Sequence, residues 1–100
     1  MGVKIEFTKL ALFDIIKIKK WYSGKSENLH LRFLTHLERE IEKVKNSPLM
    51  FQVVRQGTRK FSVNKFPYNV YYLVEKERIV IVGLIHNKRS NAFIKKKLKK

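Results

Sequence analysis

Apolar and polar positions follow two different periods in the two halves of the chain. Val3-Lys4-Ile5-Glu6-Phe7 alternates apolar and charged residues, the period of two that a half-buried strand requires. Thr8 follows as an N-cap. Ala11, Ile15, Ile18 and Tyr22 then recur at helical spacing, which predicts a helix from Leu10 to Tyr22 closed by Ser23-Gly24. Leu10, Leu12, Phe13, Ile16 and Trp21 fall off that stripe, so this helix is apolar over more of its circumference than one core contact needs. A second contact is expected there. Ser26 is the next N-cap, and Leu29, Phe33, Leu37, Ile41 and Val44, widened by Leu34, form the buried stripe of a second helix. Arg32, Glu38, Arg39, Glu40, Glu42, Lys43 and Lys45 lie opposite, as a solvated charged face. Asn46-Ser47-Pro48 stops the helix, because proline has no amide hydrogen and pushes the residue before it out of the helical region. Two helices joined by a short Ser-Gly loop are expected to form an antiparallel hairpin.

After Pro48 the pattern changes. Phe51–Arg55, Lys60–Phe66, Tyr68–Glu75 and Arg78–Ile85 are rich in β-branched and aromatic residues, with breaks at Gln56-Gly57, Pro67 and the turn before Arg78. They predict consecutive antiparallel strands, the last apolar on both faces and therefore central. Val70, Tyr72 and Val74 share one face of the third run while Tyr71 and Leu73 share the other. The order β-α-α-β-β-β-β predicts an α+β domain: an N-terminal strand and an antiparallel helical hairpin packed on a mostly antiparallel sheet of four to five strands. The hairpin covers one face. The other is expected to be open.

Composition adds charge to this outline. The chain of 100 residues carries 23 Lys+Arg against 8 Asp+Glu, a formal +15, at 44% hydrophobic content, so it is one domain able to bury a core. Residues 90–100 are basic, and a loosely held tail is expected there. Cysteine is absent, so disulfides and thiolate chemistry are excluded. The longest apolar stretch, Ile79–Ile85, is too short to span a bilayer, and the N-terminus lacks a signal-peptide h-region, which together predict a soluble cytoplasmic protein with no membrane contact. Between Glu42 and Glu75 stand Lys43, Lys45, Arg55, Arg59, Lys60 and Lys65 with no acid among them. Arg59 and Lys60, the segment His86-Asn87-Lys88-Arg89 and a tyrosine of the neighbouring strand are expected to converge on the open face. Such a surface tracks phosphates and stacks bases. Lysine excess also serves solubility, so charge alone leaves both readings standing.

No phosphate-cradling glycine loop, His-Glu-x-x-His or Gly-x-Ser-x-Gly is present, so neither a metal nor a cofactor is expected. His30 and His36 sit within the second helix as ordinary helix residues. His86 ends an apolar strand beside cations, where a proton-transfer or phosphate-binding group is commonly displayed; a strand-end histidine bonded to backbone is the plainer reading. RNA cleavage by its own 2′-hydroxyl needs a base, an acid and fixed cations. Arg59, Lys65 and Arg89 supply cations and His86 or Tyr71 an acid, but no carboxylate in Lys43–Val74 serves as base.

Ile5-Glu6-Phe7-Thr8 with Asp14-Ile15, Arg59-Lys60-Phe61, Phe66-Pro67-Tyr68-Asn69-Val70-Tyr71-Tyr72, and Ile79–Ile85 running into His86-Asn87-Lys88-Arg89 together resemble the RelE/ParE superfamily of toxins from bacterial type II toxin–antitoxin modules, the plasmid-stabilisation type. The resemblance covers nearly the whole chain. It implies a compact microbial RNase-like fold, an acidic antitoxin partner and growth inhibition by the free toxin. RelE-like members cleave messenger RNA on the ribosome, and on that pattern Arg59, His86 and Arg89 are the catalytic candidates, with Arg55, Lys60, Lys65, Tyr71 and Lys88 contacting nucleic acid or target. ParE-like members, whose representatives poison DNA gyrase, share the Phe-Pro-Tyr strand and the His-x-x-Arg without that catalytic set. The missing carboxylate, and the absence of a tyrosine after Arg89, place this sequence nearer to them. An enzymatic role stays open, as does a non-catalytic basic nucleic-acid-binding domain. Leu10, Leu12, Phe13, Ile16 and Trp21 are the candidate antitoxin contacts, complementary to an acidic segment that folds over the toxin.

Overall fold

The computed structural model describes residues 3–89, so the expectation for the basic tail lies outside the described residues. Strand β1 (Lys4–Phe7) leads into helices α1 (Lys9–Ser23) and α2 (Leu29–Asn46), followed by strands β2 (Val53–Arg55), β3 (Thr58–Ser62), β4 (Tyr68–Glu75) and β5 (Arg78–His86). A 3₁₀ turn, Asn87–Arg89, follows. The strands form one sheet in the order β1-β5-β4-β3-β2, with β1 parallel to β5 and every other pair antiparallel. The α+β architecture and the interior place of the last strand agree with the sequence pattern. The parallel pairing of β1 follows from the helical hairpin, which carries the chain across one face before it re-enters the sheet at the far edge.

Apolar periodicity becomes burial where the stripes meet. Ala11 and Ile18 of α1 and Phe33, Leu37 and Val44 of α2 close on Phe61, Val70, Tyr72, Ile79, Ile81 and Leu84 of the sheet. Each Val, Leu, Ile or Phe among them contributes roughly 1.5–3 kcal/mol of transfer free energy. At the end of the sheet next to the helix connection, Tyr22, Phe33, Phe66 and Tyr68 form an aromatic cluster with centroids 5.2–6.3 Å apart, edge-to-face except for the tilted Tyr22–Phe33 pair.

Because β1 has four residues and β5 nine, the outer edge of β5 runs on past its partner. The start of α1 closes it. The Thr8 amide donates to the Ile81 carbonyl at 3.0 Å and the Thr8 hydroxyl to the Val82 carbonyl at 3.3 Å, while the same hydroxyl accepts from the Ala11 amide as the N-cap. One turn on, Asp14 Oδ2 accepts the Leu84 amide at 3.0 Å.

Three expectations are corrected. The N-cap of α2 is Asn28, in the left-handed region at φ 66, without a side-chain bond, rather than Ser26. Strand β3 ends at Ser62, not Phe66, because Lys65 adopts φ 69 and the Val63 and Phe66 amides are taken by a tight connection into β4. The face away from the helices is not open at its centre: Thr58, Asn69 and Tyr71 lie on it and are buried. Tyr71 is paired there with Gly83, whose missing side chain leaves room for a large ring.

Candidate functional site

Strand register decides which candidate residues meet. Residues paired across antiparallel strands present their side chains to the same face. Tyr68 pairs with His86 and Arg59 with Tyr72, so both His86 and Arg59 belong to the helix side of the sheet. Lys60 pairs with Tyr71 and belongs to the other side. The expected convergence of Arg59, Lys60, His86 and a tyrosine on one open face therefore does not occur. Arg59 and His86 share a face but stand four residues along and two strands across from each other, which puts their Cα atoms about 16 Å apart. Tyr71 is fully buried and presents no ring to a ligand.

Arg59 is engaged elsewhere. Its guanidinium donates to the Phe51 carbonyl at 2.7 Å and to the Leu49 carbonyl at 3.1 Å, fastening the loop between α2 and β2. Beside it the buried Tyr72 hydroxyl donates to the Pro48 carbonyl at 2.7 Å. Burial pushes the Tyr72 phenol above its ordinary value of 10.0, and the Arg59 charge pulls the other way. Burial also raises Tyr22, with Tyr68 adding to it.

His86 stands at the end of β5 with its ring edge-on to Tyr68 at 5.3 Å. Its Nδ1 accepts the Lys88 amide at 3.2 Å, so the neutral ring carries its proton on Nε2. The Asn87 amide donates to the Pro67 carbonyl at 2.9 Å, which fixes the 3₁₀ turn against the β3–β4 connection that carries Lys65. Lys65 and Lys88 are exposed. The structure thus places His86, Lys88 and the connection bearing Lys65 at one end of the sheet. Of Arg89, the final residue of that turn, only the backbone is described. The remaining candidate, Arg55, lies at the far edge in β2. Among the described residues no group of three His, Cys, Asp or Glu is placed to hold a metal ion.

The outer surface of α1 forms a second candidate site. Leu10, Leu12, Phe13, Ile16 and Trp21 are all 45–60% exposed. Lysines interleave with them: Lys25 Nζ sits 3.8 Å above the Trp21 ring and Lys17 Nζ 5.3 Å from the Phe13 ring. This is an apolar face studded with cations. Asp14, the one acid of α1, is turned toward the sheet.

Exposed Leu49, Met50 and Val53 around the start of β2 were not singled out from sequence. The run Leu49-Met50-Phe51 after Pro48 reads as the approach to a strand, and only the position of Phe51 against Phe61 and Tyr72 shows which member turns inward.

Residues 5–91 match the family described as ParE toxin of type II toxin-antitoxin system, parDE. The chain belongs to the ParE toxin family. The match takes in both helices, all five strands except Lys4 at the start of β1, and the Asn87–Arg89 turn of this ParE-family chain. Solved structures share its fold. A chain of the chromosomal ParDE toxin–antitoxin system of P. aeruginosa superposes with a TM-score of 0.72 at 14% identity, covering 85% of this chain and 96% of that one. The E. coli toxin RelE, as an arginine-substituted mutant in the free state, gives 0.67 at 15% identity over 99% and 97% of the two chains. The intact E. coli RelBE toxin–antitoxin complex gives 0.60 at 15% identity over 83% and 94%. Comparison with curated proteins finds no match.

Proposed function

We propose that this ParE-family toxin arrests growth by acting on DNA gyrase, and that in the resting module an acidic antitoxin segment covers the outer face of α1. The observation that carries the target is the commitment of Arg59 to two loop carbonyls, about 16 Å from His86. Cleavage at phosphorus needs cations around one phosphate, and that arrangement is not assembled between these two residues. The antitoxin assignment is supported by the exposed apolar stripe of α1 with its lysines, and by the P. aeruginosa ParDE and E. coli RelBE neighbours being toxin–antitoxin systems. A gyrase target places the action in the cytoplasm. Among the described residues no helix is long and apolar enough to cross a membrane.

Induced expression with and without the adjacent reading frame tests the toxin reading: arrest should appear alone and disappear with the neighbour. Arrest that persists in a His86→Ala variant supports the non-nucleolytic mechanism.

A second reading rests on one observation. With Nδ1 of His86 occupied by the Lys88 amide, Nε2 is the nitrogen left to donate a proton, at the end of the sheet that also carries Lys88 and the connection bearing Lys65. A RelE-like ribosome-dependent endoribonuclease would use it as the acid. Primer extension on translated messages would then show codon-phased cuts that vanish in His86→Ala; their absence removes this reading.

A further inference from the structure

The charges of α2 are sorted by side. Arg32, His36, Arg39 and Lys43 recur at steps of four, three and four residues, which lines them along one flank of the helix. Glu38 and Glu42 fall on a different flank, where Glu42 holds Lys45 Nζ at 3.3 Å. Arg32 and Arg39 are exposed and have no acidic partner among the described residues. Glu40, the acid that borders the row, is buried, and its Oε2 faces Lys43 Nζ at 3.5 Å. From Arg32 to Lys43 the helix rises about 16 Å, so the row is far longer than a single small anion needs.

The row continues beyond the helix. His36 rests against Phe66 with ring centroids 5.6 Å apart, which brings α2 against the β3–β4 connection, where exposed Asn64 and Lys65 precede Phe66. The Asn87 amide, bonded to the Pro67 carbonyl, joins that connection to the turn carrying exposed Lys88. A cationic band therefore runs from α2 across the connection to the end of β5. Cations fixed along such a band suit a polyanion whose charges repeat, because each neutralised phosphate releases condensed counterions. None of the exposed large apolar side chains belongs to the band, so it offers a protein partner no anchor. Base stacking is not served either: Phe66 and Tyr68 are packed into the aromatic cluster, and the exposed rings of Phe13 and Trp21 lie on α1. Cations without stacking platforms match a duplex, whose bases are paired inside and whose phosphates face out.

We infer that the band of Arg32, His36, Arg39 and Lys43 on α2, continued by Lys65 and Lys88, is a docking surface for the phosphate backbone of duplex DNA. Neither Arg32 nor Arg39 enters the target or the antitoxin assignment, so the inference stands whether or not gyrase is inhibited. The test is fluorescence anisotropy of a labelled DNA duplex of about 20 base pairs, titrated with the full chain at several salt concentrations. The double variant Arg32→Gln, Arg39→Gln removes two cations from the band. A control, Lys4→Gln, Lys76→Gln, removes the same charge from the opposite end of the sheet, and all four side chains are exposed, so both chains keep the fold. Each neutralised phosphate contributes about 0.9 to the slope of log K against log salt, so the α2 variant should lose about 1.8 of slope and bind about tenfold or more weakly at low salt. The control should keep the parent slope to within about 0.5. An undiminished slope in the α2 variant, an equal loss in both variants, or tighter binding of single-stranded RNA of the same length than of the duplex would overturn the inference.

Discussion

Arg59 and Tyr72 occupy paired positions on neighbouring strands and reach the same loop from beneath. Replacing Arg59 with Leu leaves the carbonyls of Leu49 and Phe51 without their charged donor, and should lower stability by about 1.5–3 kcal/mol, read as a fall in the urea midpoint. Tyr72→Phe removes one bond and should cost about 1 kcal/mol. Tyr72 also sets an alkaline limit. Its phenol is raised above 10.0 in the fold, so its contribution is complete below pH 10, where the phenol is protonated in folded and unfolded chains alike. It is lost as pH climbs through the folded value, and Tyr22, raised in the same direction, adds to the slope. Alkaline denaturation of Tyr72→Phe should accordingly be shallower than that of the parent. At this scale the sequence was legible in part. Alternation assigned Tyr71 and Tyr72 to opposite faces, but not depth: both are fully buried. Arg59 read as a free cation because its acceptors are backbone carbonyls, which no residue type reveals.

The elements were legible where one period ran long enough to dominate. Both helices and strands β4 and β5 fall within a residue or two of their pattern, and the helix start at Thr8 was given by its N-cap chemistry. The end of β3 was hidden because Lys65 takes a left-handed conformation that is uncommon for lysine. The closure of the β5 edge was hidden too, since Asp14 and Leu84 are 70 residues apart. Asp14→Ala should strip the Leu84 amide of that acceptor, cost about 1.5–3 kcal/mol and speed hydrogen exchange at that amide above its neighbours. On the opposite side of α1 the expected pattern reverses. Phe13→Ser and Ile16→Ser lie at 57% and 60% exposure, so stability should change within about 0.5 kcal/mol. Antitoxin affinity, measured by calorimetry, should fall at least tenfold if that face is the contact.

For the whole molecule, the order of the Arg59-Lys60-Phe61, Phe66–Tyr72 and His86–Arg89 segments anticipated the family, while the site's geometry could not be anticipated because it depends on pairing register. A shift of one residue in β3 against β4 would move Arg59 to the other face, and nothing local in the sequence excludes it. The formal charge of +15 has a thermodynamic signature. Association with an acidic antitoxin should weaken steeply between low and physiological salt, mainly through a slower on-rate, while the apolar α1 contacts hold dissociation nearly constant.

Supercoiling of relaxed plasmid by purified DNA gyrase, in the presence of this chain, tests the proposed target most directly. The account predicts progressive loss of supercoiled product as the chain is added, equally with the parent and with His86→Ala, and recovery when antitoxin is supplied. Full supercoiling at a large molar excess of folded chain would contradict it.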